Sequence, residues 1–241
     1  MGNIRELATN PQQYDNKDTG WESIGTSIES PTRTQFWNYL KRHSSSWRGK
    51  DAIDIGSGIG WLADLVLKEG ARSVVGIEPS RRNCELARSM YPHVATLNVS
   101  LEDYIPDRKF DVGFAVMSFV HIGNLEEAFK KISGFLNSEG ELIAIVPDYD
   151  YFHAPRNNYD VTFEELDDEE YATLIKRPHG TLADIVRTTE KLSRVAEQND
   201  MYLLEDIPIP SLQKTPAGEY TTTENLDVIA AHLVRFQKTY L

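Results

Sequence analysis

The chain has 241 residues, 40% of them apolar, enough for one α/β domain with a large core or one domain and a small lid, but not two full units. A formal net charge of −12 disfavours a protein that must neutralise many nucleic-acid phosphates. A single cysteine, Cys84, excludes an internal disulfide and a multi-cysteine zinc site and suits a reducing, cytoplasmic setting; no run reaches the about 18 apolar residues of a membrane helix, and MGNIRELATN lacks a signal-peptide core.

Residues 1–45 read as a polar arm interrupted by two rings, Tyr14 and Trp21, that need a surface to cover. Within it, Phe36, Trp37 and Leu40 recur at helical spacing between Pro31 and His43. A short apolar run from Ala52 to Ile55 then meets Gly56, Gly58 and Gly60, an apolar-periodic helix to about Lys68, and a β-rich run from Ser73 to Ile77 closed by Glu78. The glycines let backbone approach a ligand closely, and the helix start behind them favours anionic groups. A carboxylate ending the second strand is placed to accept both hydrogen bonds of a ribose diol, so the unit reads as a nucleoside site. Dinucleotide dehydrogenases space this turn G-x-G-x-x-G, with Gly or Ala where this chain has Trp61, which argues against a pyrophosphate cradle.

Ser80 is placed to cap a helix through Tyr91, ended by Pro92, and His93 to Val99 is a third strand running into Ser100, Leu101, Glu102 and Asp103. The nearly continuous apolar run from Phe110 to Ile122 predicts a central parallel strand buried on both faces. Ligands bind beyond the carboxyl ends of such strands, so Met117, Ser118 and His121 are expected to face one. Asn124 caps a further helix and Glu141 to Val146 is a fifth strand. Residues 148–187 break the βαβ rhythm: they hold an aromatic and charged cluster around Tyr149, Tyr151, Phe152, His153, Arg156, Tyr159 and His179. Their acidic run, Phe163 to Glu170, reads as a solvated helix face, followed by a helix near Tyr171 to Ile175. A helix from Arg187 to about Asn199, a strand from Met201 to Ile207, a loop built on Pro208, Pro210, Pro216 and Gly218, and a strand from Leu226 to Phe236 complete the chain.

The phrase D-I-G-S-G-I-G at residues 54–60, with the strand, helix and strand from Asp111 to Val146, resembles the class I S-adenosylmethionine-dependent methyltransferases, in their small-molecule, type 11-like branch. The resemblance covers roughly residues 50–147 by motif and the remainder by order of elements. It implies an α/β fold: a Rossmann-like, seven-stranded, mostly parallel sheet with helices on both faces and an antiparallel last hairpin, plus a small lid. It also implies one domain over 1–241, with the arm 1–45 and the insertion 148–187 closing over the substrate. The implied cofactor is S-adenosyl-L-methionine, leaving as S-adenosyl-L-homocysteine. Asp54, Gly56, Ser57, Gly58 and Gly60 would surround its methionine part, Glu78 and Pro79 its ribose, and Ser100, Leu101 and Glu102 its adenine. Tyr14 and Trp21 would cover it from the arm, and Met117 and Ser118 would approach it from the fourth strand. Where the family usually has Asp at the end of the third strand, this chain has Ser100.

Methyl transfer from a sulfonium depends more on in-line positioning than on covalent help, so a general base is useful but not obligatory. His121 is the first candidate, with Tyr149 and His153 as rivals; each could equally brace a loop. Asp148 and Asp150 invite a magnesium reading, but no third ligand stands at a recognisable spacing, and no metal is expected. The expected function is methyl transfer to O, N or C of a small molecule, as in natural-product biosynthesis, by a cytoplasmic monomer or homodimer without membrane or nucleic-acid partners. The alternatives are a methyltransferase acting on a peptide, protein or tRNA, and a non-catalytic nucleoside-binding regulatory module.

Overall fold

The computed structural model describes residues 3–15, 30–153, 160–177, 180–214, 220–222 and 228–239. Its helices are α1 (Ile4–Ala8), α2 (Pro31–Leu40), α3 (Trp61–Lys68), α4 (Arg81–Met90), α5 (Leu125–Phe135) and α6 (Thr189–Glu197). Its strands are β1 (Asp51–Ile55), β2 (Ser73–Ile77), β3 (Ala95–Leu97), β4 (Phe110–Val116), β5 (Leu136–Pro147), β6 (Asp160–Asp167), β7 (Glu170–Arg177), β8 (Gly180–Arg187), β9 (Met201–Pro210), β10 (Leu212–Lys214), β11 (Tyr220–Thr222) and β12 (Ile229–Lys238). Seven of them form one sheet in the order β3-β2-β1-β4-β5-β12-β9. The first five run parallel, with Ile53 opposite both Val75 and Gly113, whereas β12 is antiparallel to β5 and to β9. The mostly parallel sheet with an antiparallel last hairpin is therefore present.

Both faces of the sheet are covered, which is why its central strands are apolar without alternation. On β5, Leu142, Ala144 and Val146 pack with Phe129 and Ile132 of α5 and Leu192 of α6, while Ile143 and Ile145 pack with Leu40 of α2 and Leu62 and Val66 of α3. Each such side chain contributes about 1.5–3 kcal/mol on burial. The helices start where side chains satisfy free N–H groups: Ser80 accepts from Asn83, Asn124 from Glu127 and Thr188 from Lys191.

Two sequence expectations are corrected. The acidic run and the segment after it are not helical: β6, β7 and β8 form a separate antiparallel three-stranded sheet, with Phe163 opposite Thr173 and Thr173 opposite Asp184. Glu and Leu favour a helix, but tertiary packing overrides that preference, because this sheet is covered on both sides. One face packs Tyr171, Ile175 and Val186 against Phe152, and the other packs Ala183 and Ile185 against Ala8 of α1. Pro208 and Pro210, expected in a loop, lie in β9, where an edge strand tolerates a missing N–H. Among the described residues no helix is long and apolar enough to cross a membrane.

Candidate functional site

The glycine turn links β1 to α3 at the carboxyl edge of the sheet. Gly56, Gly58 and Gly60 have positive φ of 68°, 54° and 82°. Gly56 also has no room for a side chain, since a Cβ there would stand 2.5 Å from the Ser118 Cβ. The N–H groups of Gly56 and Ser57 donate to the Ile77 carbonyl at 2.8 and 3.0 Å, tying the turn to the end of β2. Glu78, the next residue, is only 4% exposed. Its two oxygens accept from Gly58 N–H at 2.8 Å and Ser80 N–H at 2.9 Å. Burial raises the Glu78 pKa, and those backbone N–H groups pull it back. Beneath the turn, burial and then the Glu78 charge push Asp54 up to about 7.

The next two walls come from the loops after β3 and β4. Ser100 exchanges hydrogen bonds with Asp103, donating to its carboxylate and accepting from its N–H, which fixes the loop carrying Leu101 and Glu102. After β4, Met117 has a φ of 56°, a left-handed conformation that costs a non-glycine residue of order 1–3 kcal/mol and is typical of functional loops. Its N–H is held by the Ile145 carbonyl at 2.8 Å. His121 follows one turn later. Its Nδ1 lies 3.1 Å from the Ala8 carbonyl, its Nε2 is hydrogen-bonded to the Tyr14 hydroxyl, and Nε2 stands 3.9 Å from the Asp184 carboxylate. Burial pushes its pKa down to about 4, so the ring is neutral with both nitrogens engaged by the arm.

These parts line one cavity of about 1120 Å³. Of the residues singled out in the sequence, Tyr14, Gly56, Ser57, Gly58, Glu78, Pro79, Ser100, Leu101, Glu102, Met117, Ser118 and His121 border it. Asp54 lies buried below it, and Gly60 packs on Ala87 of α4 and on Tyr91 just beyond that helix. Trp21, Arg156, Tyr159 and His179 fall outside the described residues.

Tyr149 and His153, the rivals to His121 as a base, are not among the described residues that border the cavity. The turn after β5 aims Tyr151 and Phe152 inward instead. Tyr149 packs edge-on against Tyr171 at 5.0 Å, and His153 stacks on Phe163 at 4.5 Å. Asp148 is drawn to His232, 3.0 Å from its Nε2, and among the described residues no group of three or more His, Cys, Asp or Glu is placed to hold a metal ion.

Several residues in or beside the cavity were not singled out in the sequence as site residues. Trp61 and Arg33 form a cation–π pair at 5.7 Å, and Asp15 accepts from the Ser80 hydroxyl at 2.6 Å, docking the arm beside Glu78. Asp184 and Leu182 reach the cavity from β8. Only strand alternation over 180–187 hints at them, and that pattern does not say which face meets a pocket.

The cavity suits a nucleoside with a polar tail. Gly58 faces open space, where a ligand's atoms can approach backbone, and the buried Ser57 and Ser118 hydroxyls have no hydrogen-bond partner among the described residues. Such orphaned groups beside a cavity are costly unless a ligand meets them. Dinucleotide-binding sheets run 3-2-1-4-5-6 in parallel, whereas here an antiparallel strand stands between β5 and β9.

The order of strands and the glycine turn define the class I fold of S-adenosylmethionine-dependent methyltransferases. Residues 53–144 match the family model described as a methyltransferase domain. A tRNA U34 carboxymethyltransferase of Shewanella putrefaciens (strain CN-32 / ATCC BAA-453) is 29% identical over 126 residues, 49% of this chain and 38% of that protein. A trans-aconitate 2-methyltransferase of Rhizobium rhizogenes (strain K84 / ATCC BAA-868) is 31% identical over 98 residues, 40% of this chain and 38% of that protein. The match thus spans well under half the length of either curated relative. The solved 1,6-didemethyltoxoflavin-N1-methyltransferase of Burkholderia thailandensis, with bound 1,6-didemethyltoxoflavin and S-adenosylhomocysteine, superposes with a TM-score of 0.61 at 13% identity, over 100% of this chain and 92% of that one.

Proposed function

We propose that this protein transfers a methyl group from S-adenosylmethionine to O, N or C of a compact acceptor. The observation that carries this reading is one continuous cavity lined at one end by the glycine turn and Glu78 and at the other by the arm and the three-stranded sheet. At the first end, Glu78 takes the ribose hydroxyls, the Gly56–Gly60 turn and the orphaned Ser57 and Ser118 hydroxyls meet the methionine part, and Ser100 to Glu102 border the adenine. At the second end the acceptor is enclosed, water is excluded, and transfer from a cationic sulfonium to a nucleophile gains from the dry surroundings. The arm 1–45 and the insertion 148–187 act together as the substrate lid. His121 serves as the latch that holds the arm, because both its nitrogens are engaged by residues of that arm.

A macromolecular acceptor is the second reading, favoured by the relatives named for tRNA. Against it stand an acceptor end walled by the arm and the three-stranded sheet and a net charge of −12. Calorimetric titration of the full chain with S-adenosylhomocysteine and with NAD tests the cofactor assignment. Saturable binding of the first alone is expected, and binding of NAD alone would overturn it.

A further inference from the structure

Consecutive side chains of the arm, Gln13, Tyr14 and Asp15, reach separate parts of the molecule. Gln13 ties α1 to β8, accepting from Ala183 N–H at 3.2 Å and donating to the Ala8 carbonyl at 3.0 Å. Tyr14 meets His121 in the loop after β4. Asp15 reaches the nucleoside end of the cavity instead, where its carboxylate accepts from the Ser80 hydroxyl at 2.6 Å and from Arg82 N–H at 3.2 Å. Ser80 caps α4 by accepting from Asn83 N–H at 3.1 Å, and Asp15 takes the neighbouring N–H that this cap leaves over. The positive end of the helix favours a carboxylate there. The same turn also holds Glu78. Ser80 donates its N–H to Glu78 at 2.9 Å and its hydroxyl to Asp15, so one residue joins the two carboxylates. Burial first, and the Asp15 charge in addition, push the Glu78 pKa up, so the two groups oppose each other's charge.

We propose that Asp15 is a positioning residue that makes closure of the arm follow cofactor binding; this rests on the methyltransferase reading above, with Glu78 on the ribose diol. Asp15 is not among the described residues that border the cavity, so it acts through Ser80 and Glu78. Glu78, accepting from the two ribose hydroxyls, repels Asp15 less, and Asp15 settles on the start of α4. Gln13 and Tyr14, the two residues before it, both border the cavity and come into place with it. Gln13 then meets β8 and Tyr14 meets His121, which completes the wall at the acceptor end. The acceptor therefore finds a finished site only once the cofactor is bound.

The test is hydrogen exchange of the backbone amides of residues 4–15, read by mass spectrometry on the full chain with and without saturating S-adenosylhomocysteine. In the wild type the ligand should slow exchange there about tenfold. In D15A and D15N that slowing should fall below about threefold, because Ala has no hold on Ser80 and Asn keeps an acceptor without a charge for Glu78 to repel. Asp15 is exposed and outside both large core clusters, so both variants should melt as the wild type does. The 2′,3′-dideoxy analogue of S-adenosylhomocysteine, at saturation, offers Glu78 no hydroxyls and should leave the arm exchanging as in the free protein. Slowing of wild-type size in either variant or with the dideoxy analogue, or no slowing in the wild type, would overturn the role of Asp15 and leave the cofactor reading intact. Failure of S-adenosylhomocysteine to bind at all, seen by calorimetry, would remove the methyltransferase reading and this proposal with it.

Discussion

Glu78 does two jobs with one carboxylate. It holds the glycine turn through Gly58 N–H and the start of α4 through Ser80 N–H, and in the proposed cofactor complex it would also accept from the ribose hydroxyls. Hydrogen bonds to a charged group contribute about 1.5–3 kcal/mol, so Glu78→Ala should weaken S-adenosylhomocysteine binding about tenfold or more. Glu78→Gln keeps an acceptor and should lose less. An unchanged dissociation constant in a folded Glu78→Ala protein would rule the role out. The residue was visible in the sequence because a carboxylate closing the second strand has a fixed relation to the turn before it. The opposite holds for Tyr149 and His153: their residue types suit catalysis, but the direction of a side chain in the turn after β5 depends on backbone dihedrals that the residue types do not set.

At the scale of elements, the hairpin of β12 with its two neighbours is fastened by one imidazole. His232 on β12 lies 3.0 Å from Asp148 beyond β5 and 2.5 Å from Asp206 on β9. Burial opposes its charge, but the two carboxylates outweigh burial and raise its pKa to about 9. Unfolded histidine titrates near about 6.5, so the folded state binds the extra proton between those values. The stabilisation is complete below about pH 6.5 and is lost as pH rises through about 9. His232→Gln should therefore lower the melting temperature at pH 6, and the difference from wild type should shrink by pH 10. A difference that grows with pH would contradict the paired-carboxylate account. The three-stranded sheet is fastened in a different way. The buried Arg187 guanidinium donates to the Phe119 and Ile122 carbonyls at 2.9 and 2.7 Å and to Glu170 at 2.8 Å, joining that sheet to the loop that carries His121.

Over the whole molecule, the arm bridges parts far apart in the chain. Ile4 N–H donates to Glu164, Arg5 to the Gly123 carbonyl, Ala183 N–H to Gln13, and Arg82 N–H to Asp15. The two large core clusters contain nothing earlier than Phe36, so the sheet domain does not need residues 1–22 to fold. Deleting residues 1–22 should leave the circular dichroism and the cooperative melt of the domain intact and speed release of S-adenosylhomocysteine at least tenfold. Release at the wild-type rate would show that the arm is not a lid. The sequence by itself determined the nucleotide-type half of this protein, because the glycine turn, Glu78, the caps at Ser80 and Asn124 and the apolar central strands are each local patterns with one dominant physical reading. Only the tertiary structure decided the other half. Whether residues 160–187 form helix or sheet depended on the two surfaces that cover them, and Asp15, Arg33 and Asp184 gained their places from long-range docking that local spacing does not encode.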